Sequence, residues 1–158
     1  MPVKNLRDGT VKIADAAGTG GGNSVTVDVE EGDLTYTEKT PVHIIKDRGV
    51  LDHARLADEV PVELSFSMKY QSHTLHVSPS PYDALTKTGG ASSWVSDEPN
   101  SDVYAVIIEF TMTDPAGGAA EVLTFARFMD IVIDFNEGAE FNIMKVSGKA
   151  LITTPVLS

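Results

Sequence analysis

One stretch of this chain indicates its fold class: residues 60–70 read VPVELSFSMKY. Apolar side chains occupy the even positions from Val60 to Tyr70, and the odd positions hold one proline and four polar residues. Because successive side chains of a β-strand point to opposite faces, this period of two predicts a strand with one face in water. Its eleven residues exceed the usual strand length of about five or six.

Strand patterns recur at residues 24–30, 103–114, 121–135 and 141–152. The segment 103–114 begins apolar on both faces and becomes amphipathic at Glu109, which predicts a strand covered first on both sides and then on one. The segment 121–135 would span about 50 Å if fully extended, so a bulge or bend is expected within it. Short turns join neighbouring segments, which predicts antiparallel hairpins.

One short helix is predicted at about residues 81–88. Ser80 is a favourable cap, Pro81 suits the first helical position, and Gly89 and Gly90 end the pattern. The predicted fold class is therefore mainly β: an antiparallel β-sandwich or partly closed barrel with one flanking α-helix. With 158 residues, the chain is the right length for a single domain.

The composition excludes several classes of protein. There is no cysteine, which excludes disulfide scaffolds, thiolate zinc sites and cysteine nucleophiles. Twenty-three acidic residues against twelve basic ones give a net charge of −11, which disfavours binding to nucleic acid or anionic membranes. The longest apolar run has six residues (103–108), and the first residues lack a signal-peptide pattern, so we expect a soluble protein with no membrane partner.

Two segments carry no clear pattern. Residues 14–23 are rich in glycine and predict a flexible loop; a phosphate-binding loop is disfavoured because no Gly-Lys-Ser/Thr ending or helix comes after it. Residues 46–59 mix charged and apolar side chains in a connection longer than hairpin loops usually are. Two interpretations of it stay open, an extended contact loop and a solvent-exposed filler.

A search for catalytic or metal-binding residues finds none. His73 and His76 are three positions apart in an extended pattern, so they would point to opposite faces rather than share a zinc ion. Asp130 and Asp134 would lie about 13 Å apart along a strand, too far to share a proton or a metal. We therefore predict that the protein is not an enzyme and uses no cofactor or metal.

Two features of charge stand out. Residues 93–140 contain ten acidic side chains and one basic one, Arg127. The run either serves solubility or forms a surface that repels a polyanion. Because a lone buried cation is costly, Arg127 must either lie at an exposed edge or meet a carboxylate, in its own chain or in a neighbouring subunit.

The order of these elements resembles that of the major tail tube proteins of long-tailed, siphovirus-type bacteriophages. The resemblance runs from about residue 24 onward. It rests on the strand EVPVELSFSMKY (59–70) after a charged connection, the 81–87 helix, the 103–113 strand and the closing FNIMKVSGKALI (141–152). Type VI secretion tube proteins are similar in fold.

The resemblance implies a structural virion protein that assembles in the host cytoplasm as stacked hexameric rings, forming the tube through which DNA is ejected. It implies partners such as the tape measure and tail terminator proteins, and passage of DNA without specific binding. On this basis we predict that six residues face the lumen: Glu63, Ser65, Ser67, Lys69, Asp130 and Asp134. The residues predicted to make contacts between subunits or rings are Lys46, Asp47, Arg48, Asp52, Arg55, Asp58, Glu59 and Arg127.

Two other kinds of protein remain as alternatives. A β-sandwich module that binds a carbohydrate or another ligand would be expected to cluster its aromatic residues, yet Trp94 and the four tyrosines are scattered along the chain. Another phage structural protein, for capsid decoration or tail completion, would differ in how its copies assemble.

Overall fold

The computed structural model describes residues 9–16, 23–27, 34–69, 79–98, 100, 102–113, 117–138 and 142–158. The centre of the glycine-rich segment, together with Tyr70, His73 and His76, lies outside these residues. Within them the chain is mainly β, with antiparallel strands and one short α-helix, which confirms the predicted fold class. The described strands do not close into a barrel, since β2 and β3 at the two ends of the sheet do not pair with each other.

The described chain forms ten strands and one α-helix. They are β1 (Gly9–Ala14), β2 (Ser24–Val27), β3 (Thr35–Thr37), β4 (Val42–Asp47), β5 (Val50–Leu56), β6 (Val62–Lys69), α1 (Pro81–Thr86), β7 (Val106–Met112), β8 (Glu121–Asn136), β9 (Ile143–Ala150) and β10 (Val156–Leu157). A short 3-10 helix, Gly89–Ala91, comes after α1.

Eight strands form one sheet in the order β2-β1-β7-β8-β9-β6-β3, with β10 beside β8. Tyr36 in β3 is three strands away from β8, a separation of about 14 Å in a flat sheet. Its ring centroid nevertheless lies 5.1 Å from that of Phe125 in β8. The sheet therefore folds over, and its two halves face each other across one core, as in a β-sandwich.

The sheet bends within β8, and this strand belongs to both halves. Residues 121–128 pair with β7, and residues 128–136 pair with β9. Both pairings contain a register shift, and Arg127 and Asp130 at these shifts have positive φ angles of 52° and 56°. These β-bulges confirm the bend expected in residues 121–135. Gly148 lies against the second bulge, where a Cβ atom would be 2.7 Å from the Met129 carbonyl oxygen.

The core is built from the inward faces of both halves. The alternation predicted for residues 60–70 is confirmed over β6, where Val62, Leu64, Phe66 and Met68 are buried and the residues between them are more exposed. The rest of the core comes from β1, β2, β7, β8, β9 and the helical segment. Since one cluster joins all of these elements, the body of the molecule is one packing unit.

The helix begins as the sequence predicts. The Ser80 hydroxyl accepts the Asp83 backbone N–H, and the Asp83 carboxylate accepts the Ser80 backbone N–H, which forms a capping box. Lys87 ends α1 in the left-handed conformation, with a φ of 55°. The helix contacts β1 and β2 and buries Ala84 and Leu85 in the core.

Residues 46–59 do not form the long connection expected from the sequence. Instead β4 and β5 pair as an antiparallel hairpin, and Arg48 and Gly49 form its turn with φ angles of 50° and 82°. Positive φ at both central residues is typical of a type I′ turn. Asn-Gly or Asp-Gly is the usual signal for such a turn, and arginine in the first position concealed it.

Candidate functional site

The strands β8, β9, β6 and β3 present a polar face on the side opposite the core. Their pairing places the side chains of this side in rows across neighbouring strands, and the rows through Thr35 and Thr37 cross all four strands. We call this surface the polar face; it consists of Thr35, Thr37, Glu63, Ser65, Ser67, Lys69, Asp130, Val132, Asp134, Lys145, Ser147 and Lys149. The structure thus brings together all six side chains that are predicted from the sequence to face a lumen.

Each lysine of β9 on the polar face lies beside a carboxylate. Lys149 is directly opposite Glu63 of β6, and its Nζ is 4.0 Å from Asp130 Oδ2 in β8. Lys145 is directly opposite Asp134 of β8. Opposite charges at directly opposed positions stabilise a strand pair by roughly 0.2–1 kcal/mol. These pairs therefore add modestly to the stability of the sheet and fix the charge pattern of its surface.

The charges on the polar face cancel. Three lysines stand against three carboxylates, so this surface contributes nothing to the net charge of −11. The remaining nine basic and twenty acidic residues carry the whole of that charge. The polar face is thus a neutral region on an otherwise acidic chain.

The acidic residues between positions 93 and 140 are spread over several parts of the body. Asp97 and Glu98 contact Arg127, and two others lie on the polar face beside lysines. Glu109 is opposite Lys12 where β7 pairs with β1. Several acids of this run thus lie beside basic side chains within the described part of the chain, and its interpretation as a surface that repels a polyanion stays a prediction.

A shallow pocket of about 340 Å³ opens on the polar face between β3 and the second bulge of β8. Gly148 lies among its lining residues, and the Thr35 and Ser65 hydroxyl oxygens are 2.8 Å apart beside it. The lining is made of hydroxyl, charged and small aliphatic groups and includes no aromatic ring. Because sugar rings are usually bound against aromatic side chains, this pocket does not favour a carbohydrate-binding module.

The four-stranded half has an unpaired edge on each side within the described residues. Residues 129–136 of β8 pair with β9 alone, and β3 pairs with β6 alone. On the first of these edges Val132 and Phe135 are 50% and 55% exposed. A long, partly apolar edge is a template for pairing with a strand of another chain.

The hairpin of β4 and β5 stands apart from the body. Its strands form a separate two-stranded sheet, and every residue of β5 is exposed. Leu51 is 68% and Leu56 79% exposed. The pairing gives the hairpin one apolar face, formed by Val42, Ile44, Leu51, Ala54 and Leu56. Since an isolated hairpin is marginal in water, this face calls for a covering surface.

The predicted contact residues divide into two groups. Those from the 46–59 segment are all exposed, on the hairpin or directly after it: Lys46, Asp47, Arg48, Asp52, Arg55, Asp58 and Glu59. Asp52 is 2.7 Å from the neighbouring His53 ring. The other group is Arg127 alone, which lies on the body.

Arg127 meets its carboxylate within the same chain. Its backbone N–H donates to Asp97 Oδ2 at 2.8 Å, and its guanidinium lies 3.5 Å from Glu98 Oε2. The guanidinium also donates to the Leu151 carbonyl oxygen at 2.6 Å. These contacts hold the first bulge of β8. Because the side chain is still 42% exposed, its contact with a second subunit stays a prediction.

The buried polar groups near the helix have structural partners. Asp15 is fully buried and accepts hydrogen bonds from the Asn23 side chain and the Val95 backbone N–H, both at 3.0 Å. The Tyr104 hydroxyl donates to the Ala84 carbonyl oxygen at 2.7 Å. Burial, together with the smaller effect of the Asp15 charge, raises the pKa of Tyr104 to about 12. These contacts fasten loops and helix to the sheet.

Half of the polar face was not predicted from the sequence. Thr35 and Thr37 belong to a strand too short to show a pattern, and β9 supplies Lys145, Ser147 and Lys149. The signal for β9 was present, since these three alternate with the buried Met144 and Val146. The sequence does not show that β9 lies between β6 and β8, and this position joins the two predicted polar faces into one.

Neither metal chemistry nor a known family is indicated. Across the described residues, no group of three His, Asp or Glu side chains is placed to hold a metal ion. In the same part of the chain no helix has the length and apolar character needed to cross a membrane. No protein-family model matches the sequence, and a search of curated proteins found no match.

Proposed function

We propose that this protein is a structural virion protein whose copies join as stacked rings to form a bacteriophage tail tube, the conduit for DNA ejection. The observation that carries the proposal is the four-stranded half of the sheet, which combines a polar face with an edge on each side that no other described strand pairs with. The hexameric ring and the partner proteins, tape measure and tail terminator, rest on the resemblance alone.

The number of strands in this half suits ring closure. The strands β8, β9, β6 and β3 alternate in direction. Because four is an even number, β3 of one copy would lie antiparallel to β8 of the next copy in a head-to-tail ring. Each new joint would pair two free edges, and a closed ring leaves none. The polar face of every copy would then lie on one surface of a continuous barrel.

The hairpin supplies a second kind of contact. Its apolar face is exposed, and among the described strands β4 and β5 pair only with each other. A contact with a neighbouring copy would cover this face and stabilise the hairpin at the same time. We assign the hairpin and the two residues after it, Asp58 and Glu59, to contacts between subunits or rings.

Disulfide cross-linking tests the edge pairing sharply, because the natural chain has no cysteine. We would combine Thr37→Cys in β3 with Val132→Cys in β8 and oxidise the protein after concentrating it. The expected result is a ladder of covalent oligomers that ends at one closed ring, with tubes of the same subunit number in electron micrographs. Because the register of the joint is not fixed in advance, Thr37→Cys with Asp134→Cys, which belongs to a register shifted by two residues, is tested in parallel.

Two controls define the outcome. Each single-cysteine variant should form no more than a dimer. The pair Ser65→Cys and Val132→Cys should form no ladder, since Ser65 lies in β6, inside the sheet and away from either free edge. Absence of rings, tubes and ladders at high concentration, with tail-initiating proteins present, would contradict the proposed function.

A further inference from the structure

We infer that the polar face is an electrically balanced lining, on which carboxylates prevent the lysines from retaining the DNA that passes. The inference rests on the proposed function, because it takes this face as the wall of the conduit. Balanced charge, in place of the acidic, repelling surface that the composition suggested, would keep DNA from adhering to this face.

The arrangement of charges supports this interpretation. Lys149 has Glu63 opposite it on one side and Asp130 at 4.0 Å on the other. Lys145 has Asp134 directly opposite in β8. Lys149 thus has a carboxylate on both neighbouring strands, and Lys145 has one on β8 and Ser67 on β6. Between these two charged rows, the row of Ser65, Ser147 and Val132 carries no charge.

Balanced charge removes the main driving force for binding DNA. A protein gains affinity for DNA when its lysines neutralise phosphates and release the counterions of the nucleic acid. A lysine that already faces a carboxylate must give up that neighbour before it can replace a counterion. The serine and threonine hydroxyls of the face keep it hydrated without adding charge. The lining can therefore carry lysines without holding a polyanion.

Removing carboxylates from the polar face should make it adhesive. Asp130→Asn together with Asp134→Asn leaves Lys145 and Lys149 with only Glu63 beside them. Both substitutions keep the size of the side chain, and asparagine tolerates the positive φ of position 130. The edge pairing and the fold should therefore persist while the face becomes cationic by two charges.

The experiment measures retention of a short fluorescent DNA duplex by sedimented tubes, with a fluorescent neutral dextran of similar size as the marker of entry. Wild-type tubes should hold no more DNA than dextran. The double variant should hold at least about tenfold more DNA than wild type at about 50 mM salt. For every two phosphates that lysines of the variant neutralise, the affinity should fall roughly 60-fold between about 50 and 500 mM salt.

The matched control changes the same charge elsewhere. Asp102→Asn with Glu121→Gln removes two exposed carboxylates that lie off the polar face, and its tubes should behave as wild type. Tubes of the Asp130 and Asp134 variant that admit dextran but retain no extra DNA would overturn the inference while the proposed function stands. Retention by wild-type tubes would overturn it as well. If no tubes form at all, the proposed function fails and the inference fails with it.

Discussion

The body of this molecule and its hairpin are both antiparallel β-structure, yet they differ in where their apolar side chains lie. The body buries them in its own core, and the hairpin leaves them exposed. In the body, β6 buries every second residue, and Arg127, Asp15 and Tyr104 each have partners within the chain. In the hairpin, the apolar face is exposed and no other described strand pairs with it. The body satisfies its buried side chains within one chain, whereas the apolar face of the hairpin needs contact with another surface.

The largest effect expected from this contrast concerns the body. Phe128→Ala should lower the free energy of unfolding by about 3–5 kcal/mol, because the ring is fully buried beside Gly148 and its loss leaves a cavity. Phe135→Ala in the same strand is the matched control. That ring is 55% exposed, so we expect a loss of about 1 kcal/mol or less. Urea unfolding measures the free energy of unfolding of both variants. Equal losses would mean that Phe135 belongs to the core as much as Phe128 does.

A smaller effect is expected at Tyr104. Tyr104→Phe removes the hydrogen bond to the Ala84 carbonyl oxygen and should cost about 1 kcal/mol at neutral pH. The pKa of this phenol is raised from 10.0 to about 12 in the folded state, so the unfolded chain loses its proton first as pH rises. The stability that the neutral phenol contributes should therefore decline between pH 10 and 12. Urea titrations across this pH range should show that the free energy of unfolding declines less steeply in the phenylalanine variant than in wild type. Equal declines would contradict the raised pKa of Tyr104.

The smallest effect on stability is expected in the hairpin. Leu51→Ser with Leu56→Ser should change the free energy of unfolding of the monomer by less than about 0.5 kcal/mol, because both side chains are already in water. Assembly into rings or tubes should nevertheless be lost, as measured by sedimentation and electron microscopy. Val156→Ser with Leu157→Ser is the control, since these side chains are also exposed, at 61% each. A marked loss of monomer stability from the hairpin pair would mean that the hairpin packs on its own body.

The same contrast explains which elements could be predicted from the sequence. β6 and α1 were predictable because their signals are local: strict alternation in one case, and a cap, a proline and a glycine stop in the other. The bend in β8 was predictable from its length. The hairpin was not, since its apolar residues face no core and its turn begins with Arg48. The neutrality of the polar face could not be predicted either, because it depends on which strands become neighbours.

The shared strand β8 also has a mechanical consequence. The two halves of the sheet are joined by the covalent backbone of one strand, and the bulges at Arg127 and Asp130 form the joint. A force applied along the free edge at residues 129–136 is therefore carried into the other half through peptide bonds. Sliding of one half over the other would require both bulges to reform. In the proposed ring, tension between neighbouring copies would cross each subunit from β8 through β9 and β6 to β3 by the hydrogen bonds between strands, and the bulged main chain of β8 would couple the other half of the sheet to that load.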